Sequence, residues 1–205
     1  NHRSQWPVRL VSRADPEWSV TAKLSIDRYT DLENRSGIRF FMPAGYLGLG
    51  GPNFDYNDRC VAASVPNGAV FERLDASGIF ARFPYLSVAD EVDGLIESGT
   101  AGHISPRAMV KAQTVLAERA GADIDRGTIT ALRAVSEGVE IETSDGRILR
   151  AEKALVAAGA FTSACGLSQV DLGLTVFGRT VLLARIEGSV ADDLAGMPTM
   201  IDCAS

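Results

Sequence analysis

The sequence predicts an α/β protein, and three observations carry that expectation. Asp15-Pro16-Glu17 opens an amphipathic helical pattern that closes at Gly37. Ile129 to Val135 and Val139 to Thr143 alternate apolar and polar residues, as half-buried antiparallel strands do. Ala154-Leu155-Val156-Ala157-Ala158-Gly159-Ala160 is a continuous apolar run ending in small residues, which predicts a strand buried on both faces of a parallel sheet. Helix, meander and buried strand together exclude a helical bundle and a β-sandwich.

Each element follows from local chemistry. Asp15 is an N-cap, Pro16 suits the first helical position, and Glu17 places an acid in the first turn. Trp18, Ala22, Ser25, Tyr29 and Leu32 recur at spacings of three and four, which predicts one buried helix face ending at Gly37. Ile38 to Met42 and Gly45 to Leu49 read as short strands, separated by Pro43-Ala44. Asn53 to Val65 reads as mixed with a short helix, stopped by Pro66-Asn67-Gly68. Ala69 to Leu74 reads as a strand, and Asp75 to Phe83 as one or two helical turns closed by Pro84. Ser105-Pro106 starts a helix with Met109, Ala112, Val115 and Leu116 on its apolar face, and Gly121 stops it. Ala122 to Ile124 reads as a short strand. Ser144-Asp145-Gly146-Arg147 is a hairpin turn, since Gly146 tolerates positive φ, and Ile148 to Ala151 is the returning strand.

Composition narrows the function classes. The 205 residues are 46% hydrophobic and 22% charged, ordinary for a globular protein with a sizeable core. With 20 Lys and Arg against 26 Asp and Glu, the net charge of −6 argues against a nucleic-acid or anionic-membrane surface. Cys60, Cys165 and Cys203 are widely spaced, with no C-x-x-C pair, so they give neither a zinc ribbon nor a disulfide framework. They read as free thiols in a reducing compartment. His2 and His103 are too few for a histidine metal site or a Ser-His-Asp triad. The uncharged stretch from Ala154 to Val170 is interrupted by polar residues and glycines and does not read as a membrane span. The expectation is a soluble, cytoplasmic protein. Because it opens at Asn1 without Met and closes without an obvious terminal element, the chain reads as a piece of a longer protein.

Several residues have chemistry worth following. Ala158-Gly159-Ala160 would let a cofactor approach the backbone at the carboxyl end of a buried strand, or would serve a plain turn. Arg3, Arg9 and Arg13 could recognise a carboxylate or phosphate, or form a solvated segment. Gly48-Leu49-Gly50-Gly51 lacks the third glycine of a dinucleotide loop, Asn53 standing there, and reads as a turn. His103 could touch a ligand from a loop, or be a surface histidine at the start of a helix. Composition and spacing do not identify a reaction.

The order of segments does resemble a known family. Ser98 to Leu167 contains S-G-T-A-G-H-I-S-P, a helix, R-A-G-A-D-I, and then V-E-I-E-T-S-D-G-R-I-L-R-A-E-K-A-L-V-A-A-G-A-F-T. Before it stand Asp31-Leu32-Glu33-Asn34-Arg35-Ser36-Gly37-Ile38, Ala44-Gly45-Tyr46-Leu47, and Leu74-Asp75 through Arg82-Phe83-Pro84-Tyr85-Leu86. In order and spacing these resemble the D-amino-acid oxidase/sarcosine oxidase family of FAD-dependent oxidoreductases, with Phe161 in place of the usual Trp. Gly173 to Glu187 resembles the segment that re-enters the family's substrate domain. The family's amino-terminal G-x-G-x-x-G unit and its second flavin loop have no counterpart in the sequence, so the chain looks like the middle of such an enzyme.

The resemblance implies a two-domain FAD-binding fold. Its FAD domain has a parallel sheet plus β-meander, and its substrate domain an antiparallel sheet. Residues 1–37 and 99–167 would belong to the FAD domain, and 38–98 and 168–205 to the substrate domain. FAD is the implied cofactor. Arg9 matches an arginine near the flavin ring, Ile129 an apolar residue at the adenine, and Ala158, Gly159 and Ala160 the strand end against the FAD. Arg13 matches the region that holds a substrate carboxylate. The implied activity is oxidation of an amino acid or secondary amine, followed by imine hydrolysis. Alternatives are a dehydrogenase of a hydroxy acid or glycerol phosphate, and a non-catalytic domain without flavin. A small-molecule substrate is expected, with a homo-oligomer or partner chain supplying the missing segments.

Overall fold

The computed structural model describes residues 8–9, 14–164, 167–168, 170–178, 180–182 and 184–203. They form two compact units, one of Asn1–Ala122 with Arg185–Ser205 and the other of Asp123–Ala184.

In the first unit, α1 (Pro16–Ser36) begins where the Asp15 carboxylate accepts from the Trp18 N–H at 3.0 Å. It ends at Gly37, whose φ of 75° is the left-handed cap that glycine adopts without strain. The buried face keeps Tyr29 and Leu32 of the expected one but is rotated away from Trp18. Ser19, Ile26, Tyr29, Glu33 and Ser36 face inward, and Trp18 is exposed. Partners reached across the fold set this rotation: Ser19 Oγ donates to Ser64 Oγ and accepts from Asn67 Nδ2. The Glu33 carboxylate accepts from the Phe40 and Phe41 N–H groups at 2.7 and 2.8 Å.

Three short strands, β1 (Val8–Arg9), β2 (Phe41–Met42) and β6 (Gly102–Ile104), form an antiparallel sheet with β6 in the middle. The larger sheet has the order β10-β3-β5-β4, from β3 (Tyr46–Gly50), β4 (Phe71–Leu74), β5 (Asp93–Glu97) and β10 (Thr199–Asp202). Only the β10–β3 pair among them is parallel. The strand expected over Gly45 to Leu49 is therefore present as the fully buried, central Tyr46–Gly50, and the turn expected at Gly48 to Gly51 begins only after Gly50. Hydrogen-bonded neighbours on both edges hold the strand extended. Strand β5, whose ends are Asp93 and Glu97, gave no sequence signal.

Helix α2 (Tyr56–Ser64) runs into a single turn of tighter helix at Val65–Asn67. Helix α3 (Ala76–Arg82) is capped by Asp75. Leu47, Leu49, Ile79, Phe83, Val92 and Ile96 make one core. Helix α4 (Pro106–Arg119), capped by Ser105, packs Ala112 with Ile26, Tyr29, Phe40, Ala69 and Ile104 in another. The unit also contains the short α6 (Ser189–Asp193).

The second unit is built on the expected meander: β7 (Ile129–Val135), β8 (Gly138–Thr143) and β9 (Ile148–Ala151), all antiparallel. Two expected strands do not form. Ala122 to Ile124 is irregular and exposed. Ala154 to Ala160 is also irregular, with Leu155 92% exposed, and leads to the four-residue helix α5 (Phe161–Ala164). An apolar run becomes a buried strand only when neighbours pair with its edges. The ladder of this unit stops at β9.

Candidate functional site

The β1–β6–β2 sheet brings the first candidate segment into register with the middle of the chain. Arg9 lies opposite Gly102, and Val8 and Met42 both lie opposite His103. The backbones approach so closely that a Cβ at Gly102 would meet the Met42 carbonyl oxygen and stand 3.0 Å from the Ala44 nitrogen. Glycine is required there for close packing, not for a turn. His103, expected at a loop or helix start, is instead the middle residue of the central strand. Its side chain is half-buried, and Nε2 is inaccessible with no hydrogen-bond partner among the described residues. Burial pushes the imidazole below its ordinary range and favours the neutral form. Arg13 lies outside the described residues.

A second polar constellation, absent from the sequence reading, covers one face of β3. Asn57, on α2, donates through Nδ2 to the Gly48 carbonyl at 3.3 Å and to Asp93 at 3.1 Å. Asp93 also pairs with Arg73 at 3.5 Å, and Arg73 pairs with Asp58. The outer part is a surface groove of about 540 Å³ lined by Phe54, Asn57, Asp58, Arg73 and Asp93. Tyr46 and Glu97, opposite one another in register, are both fully buried on the inner part. The available signal was the alternation Tyr46-x-Gly48-x-Gly50, which strips one strand face of side chains beyond the tyrosine.

The remaining candidates are in the second unit. Ile129, half-buried, opens β7 opposite Thr143, with a bulge before Ala131. The loop before it is clasped to the hairpin. Arg147 pairs with Asp125 at 2.5 Å and with Asp145 at 2.7 Å, and the Gly127 N–H donates to Asp125. The Arg147 hydrogen bond holds the Asp125 carboxyl down at about 2. Ala158, Gly159 and Ala160 form a turn, not the end of a buried strand. The Phe161 N–H donates to the Ala158 carbonyl at 3.0 Å, and the Thr162 N–H to that of Gly159 at 3.2 Å. Gly159 has φ of 55°, and a Cβ there would meet nothing within 4 Å, so its backbone is open to approach. The ladder holding Ile129 does not extend to Ala158–Ala160, and Arg9 belongs to the other unit. Among the described residues no cluster of His, Cys, Asp or Glu is placed to hold a metal.

The family model of FAD dependent oxidoreductases matches residues 5–204. The chain belongs to this family. N-methyl-L-tryptophan oxidase of Escherichia coli O81 (strain ED1a) is 35% identical over 158 residues, covering 74% of this chain and 38% of that protein. The enzyme of the same name from Citrobacter koseri is 30% identical, covering 77% and 39%. The chain thus spans less than two-fifths of the length of these relatives. Among solved structures, an amino acid oxidase essential for nikkomycin biosynthesis superposes with TM-score 0.63 at 24% identity, over 77% of this chain and 41% of that one. L-proline dehydrogenase from P. horikoshii superposes with TM-score 0.67 at 16% identity, over 82% and 46%. At those identities the likeness establishes a shared fold. It agrees with the α/β architecture expected from the sequence. No helix among the described residues is long and apolar enough to cross a membrane.

Proposed function

We propose that this chain is the central part of an FAD-dependent oxidase of amino acids or secondary amines, with N-methylated amino acids as the first substrates to try. The observation that carries the reading is the family match over 5–204, reinforced by 35% identity to a named N-methyl amino-acid oxidase. The residues present fit a flavin in one checkable respect: backbone at Gly159 is open to a ligand, flanked only by alanines. When bound, FAD would supply an acceptor for the hydride that leaves the carbon next to nitrogen.

The chain's own residues bind and orient. Ala158, Gly159 and Ala160 lie against the cofactor, and Ile129 gives its adenine an apolar neighbour. Arg9 takes the role of the arginine near the flavin ring, and Arg13 anchors the substrate carboxylate. Residues 1–37 and 99–167 serve the cofactor side of the fold, and 38–98 and 168–205 the substrate side. A cytoplasmic location belongs to the same reading.

The test is the visible absorption spectrum of the purified full-length protein, followed by oxygen uptake with N-methyl amino acids, unmethylated amino acids, hydroxy acids and glycerol phosphate. Flavin absorbance with uptake on an amine supports the reading. Uptake confined to hydroxy acids or glycerol phosphate reassigns the substrate, and a colourless protein that does not take up added FAD removes the cofactor role.

A further inference from the structure

On the face of β3 that α2 covers, Gly48 and Gly50 contribute no side chain, and polar groups occupy the space instead. A Cβ at Gly48 would stand 2.6 Å from Tyr46 Oη and 2.8 Å from Asn57 Oδ1. Tyr46 is wholly buried and Asn57 is 3% exposed. Neither oxygen has a hydrogen-bond partner among the described residues. Buried polar atoms are almost always satisfied, so two that flank one point call for a shared ligand.

The chemistry of the two atoms is complementary but does not meet directly. Asn57 cannot reverse its amide, because Nδ2 is held by the Gly48 carbonyl and the Asp93 carboxylate. Reversal would set an oxygen against both acceptors. Oδ1 therefore faces Tyr46 and needs a donor. Burial, with Tyr56, Cys60, Cys203 and Glu97 adding to it, pushes the Tyr46 phenol above its ordinary range. The hydroxyl keeps its proton at neutral pH and has it to give. The distances to the common point allow the oxygens to be up to about 5.4 Å apart, the span that one bridging water covers.

We propose that Tyr46 Oη and Asn57 Oδ1 form a buried binding site for one water molecule, which accepts from the tyrosine hydroxyl and donates to the asparagine oxygen. Buried waters make about three hydrogen bonds. The water joins α2 to β3 where Gly48 lacks a side chain. The same arrangement accounts for that glycine, since a β-carbon there would crowd both oxygens at less than 3.0 Å.

A crystal structure of the full-length protein, at a resolution that shows ordered water, tests the site. The expected result is an isolated density peak within hydrogen-bond reach of both Tyr46 Oη and Asn57 Oδ1, lost in a crystal of Y46F. A direct Tyr46–Asn57 hydrogen bond, a peak reaching only one of them, or no peak overturns the proposal. If Y46F does not fold, the unsubstituted protein decides alone. This outcome is independent of whether the enzyme oxidises amines.

Discussion

Glu33 offers a sharp test of how α1 is joined to the sheet that follows it. One carboxylate oxygen, Oε1, accepts from two successive backbone N–H groups, those of Phe40 and Phe41, at 2.7 and 2.8 Å. The side chain is 7% exposed, and its ion partner Arg39 is 80% exposed at 3.5 Å. The hydrogen bonds, not the ion pair, should therefore carry its contribution. Glu33→Ala leaves both N–H groups without their acceptor, at about 1–3 kcal/mol for the buried Phe40 donor and less for the part-buried Phe41 one. Relief of the carboxylate's own desolvation offsets part of this, leaving an expected loss of about 2–4 kcal/mol. Glu33→Gln keeps an oxygen that can accept both bonds but removes the charge. Neutral acceptors are worth about half as much as ionised ones, so the expected loss is about 1–2 kcal/mol. Arg39→Ala should cost less than either. The assay is urea unfolding of the full-length protein, read as a change in midpoint at constant slope. A Glu33→Ala loss below about 0.5 kcal/mol would refute the reasoning, because surface substitutions routinely fall there. So would a Glu33→Gln loss equal to that of Glu33→Ala, since charge would then matter and the shared acceptor would not.

Two further expectations follow from the β1–β6–β2 sheet. Burial lowers the His103 pKa in the folded protein, so its contribution to stability is fully present above the unfolded value of about 6.5 and is lost as pH falls through the lower folded value. His103→Gln should flatten the stability–pH curve over that interval; an unchanged slope would mean that the imidazole is solvated. Gly102→Ala places a methyl on the Met42 carbonyl, where no flexible side chain can give way, so it should be among the most destabilising single substitutions in the chain. Thermal unfolding checks this, and a midpoint equal to that of the unsubstituted protein would show that β2 and β6 part easily.

What the sequence made legible was what neighbours in the chain decide. The caps of α1 and α4 are contacts over three residues: Asp15 to the Trp18 N–H, and Ser105 to the Ala108 N–H. The meander was legible because alternation and the Asp145-Gly146 turn specify it locally. The misreadings occur where a distant partner reverses the usual preference of a residue type. Glu33 and Ser19 occupy the inner face of α1, and Trp18 the outer, because Ser64, Asn67 and the backbone after Gly37 satisfy the polar groups. The strand expected over Gly45 to Leu49 forms, but its glycine-rich end also reads as a turn because glycines carry no side chains to mark a buried face. Asn57 and Asp93, 36 residues apart, meet across them. Conversely, Ala154 to Ala160 has the composition of a buried strand and remains irregular, because hydrophobicity supplies no edge partner. The same distinction explains why Ile129 came only through family resemblance, and why Ala158–Ala160 and the amino-terminal arginines, open to plain alternatives on chemistry alone, acquired flavin and substrate roles only from it. An arginine on a two-residue strand, an isoleucine opening a meander and a Gly flanked by alanines carry no local signal that singles out a flavin. Their proposed roles depend on contacts across the whole enzyme. A burial pattern can find the polar layer beneath α2, but recognising a flavin site requires the order of the segments.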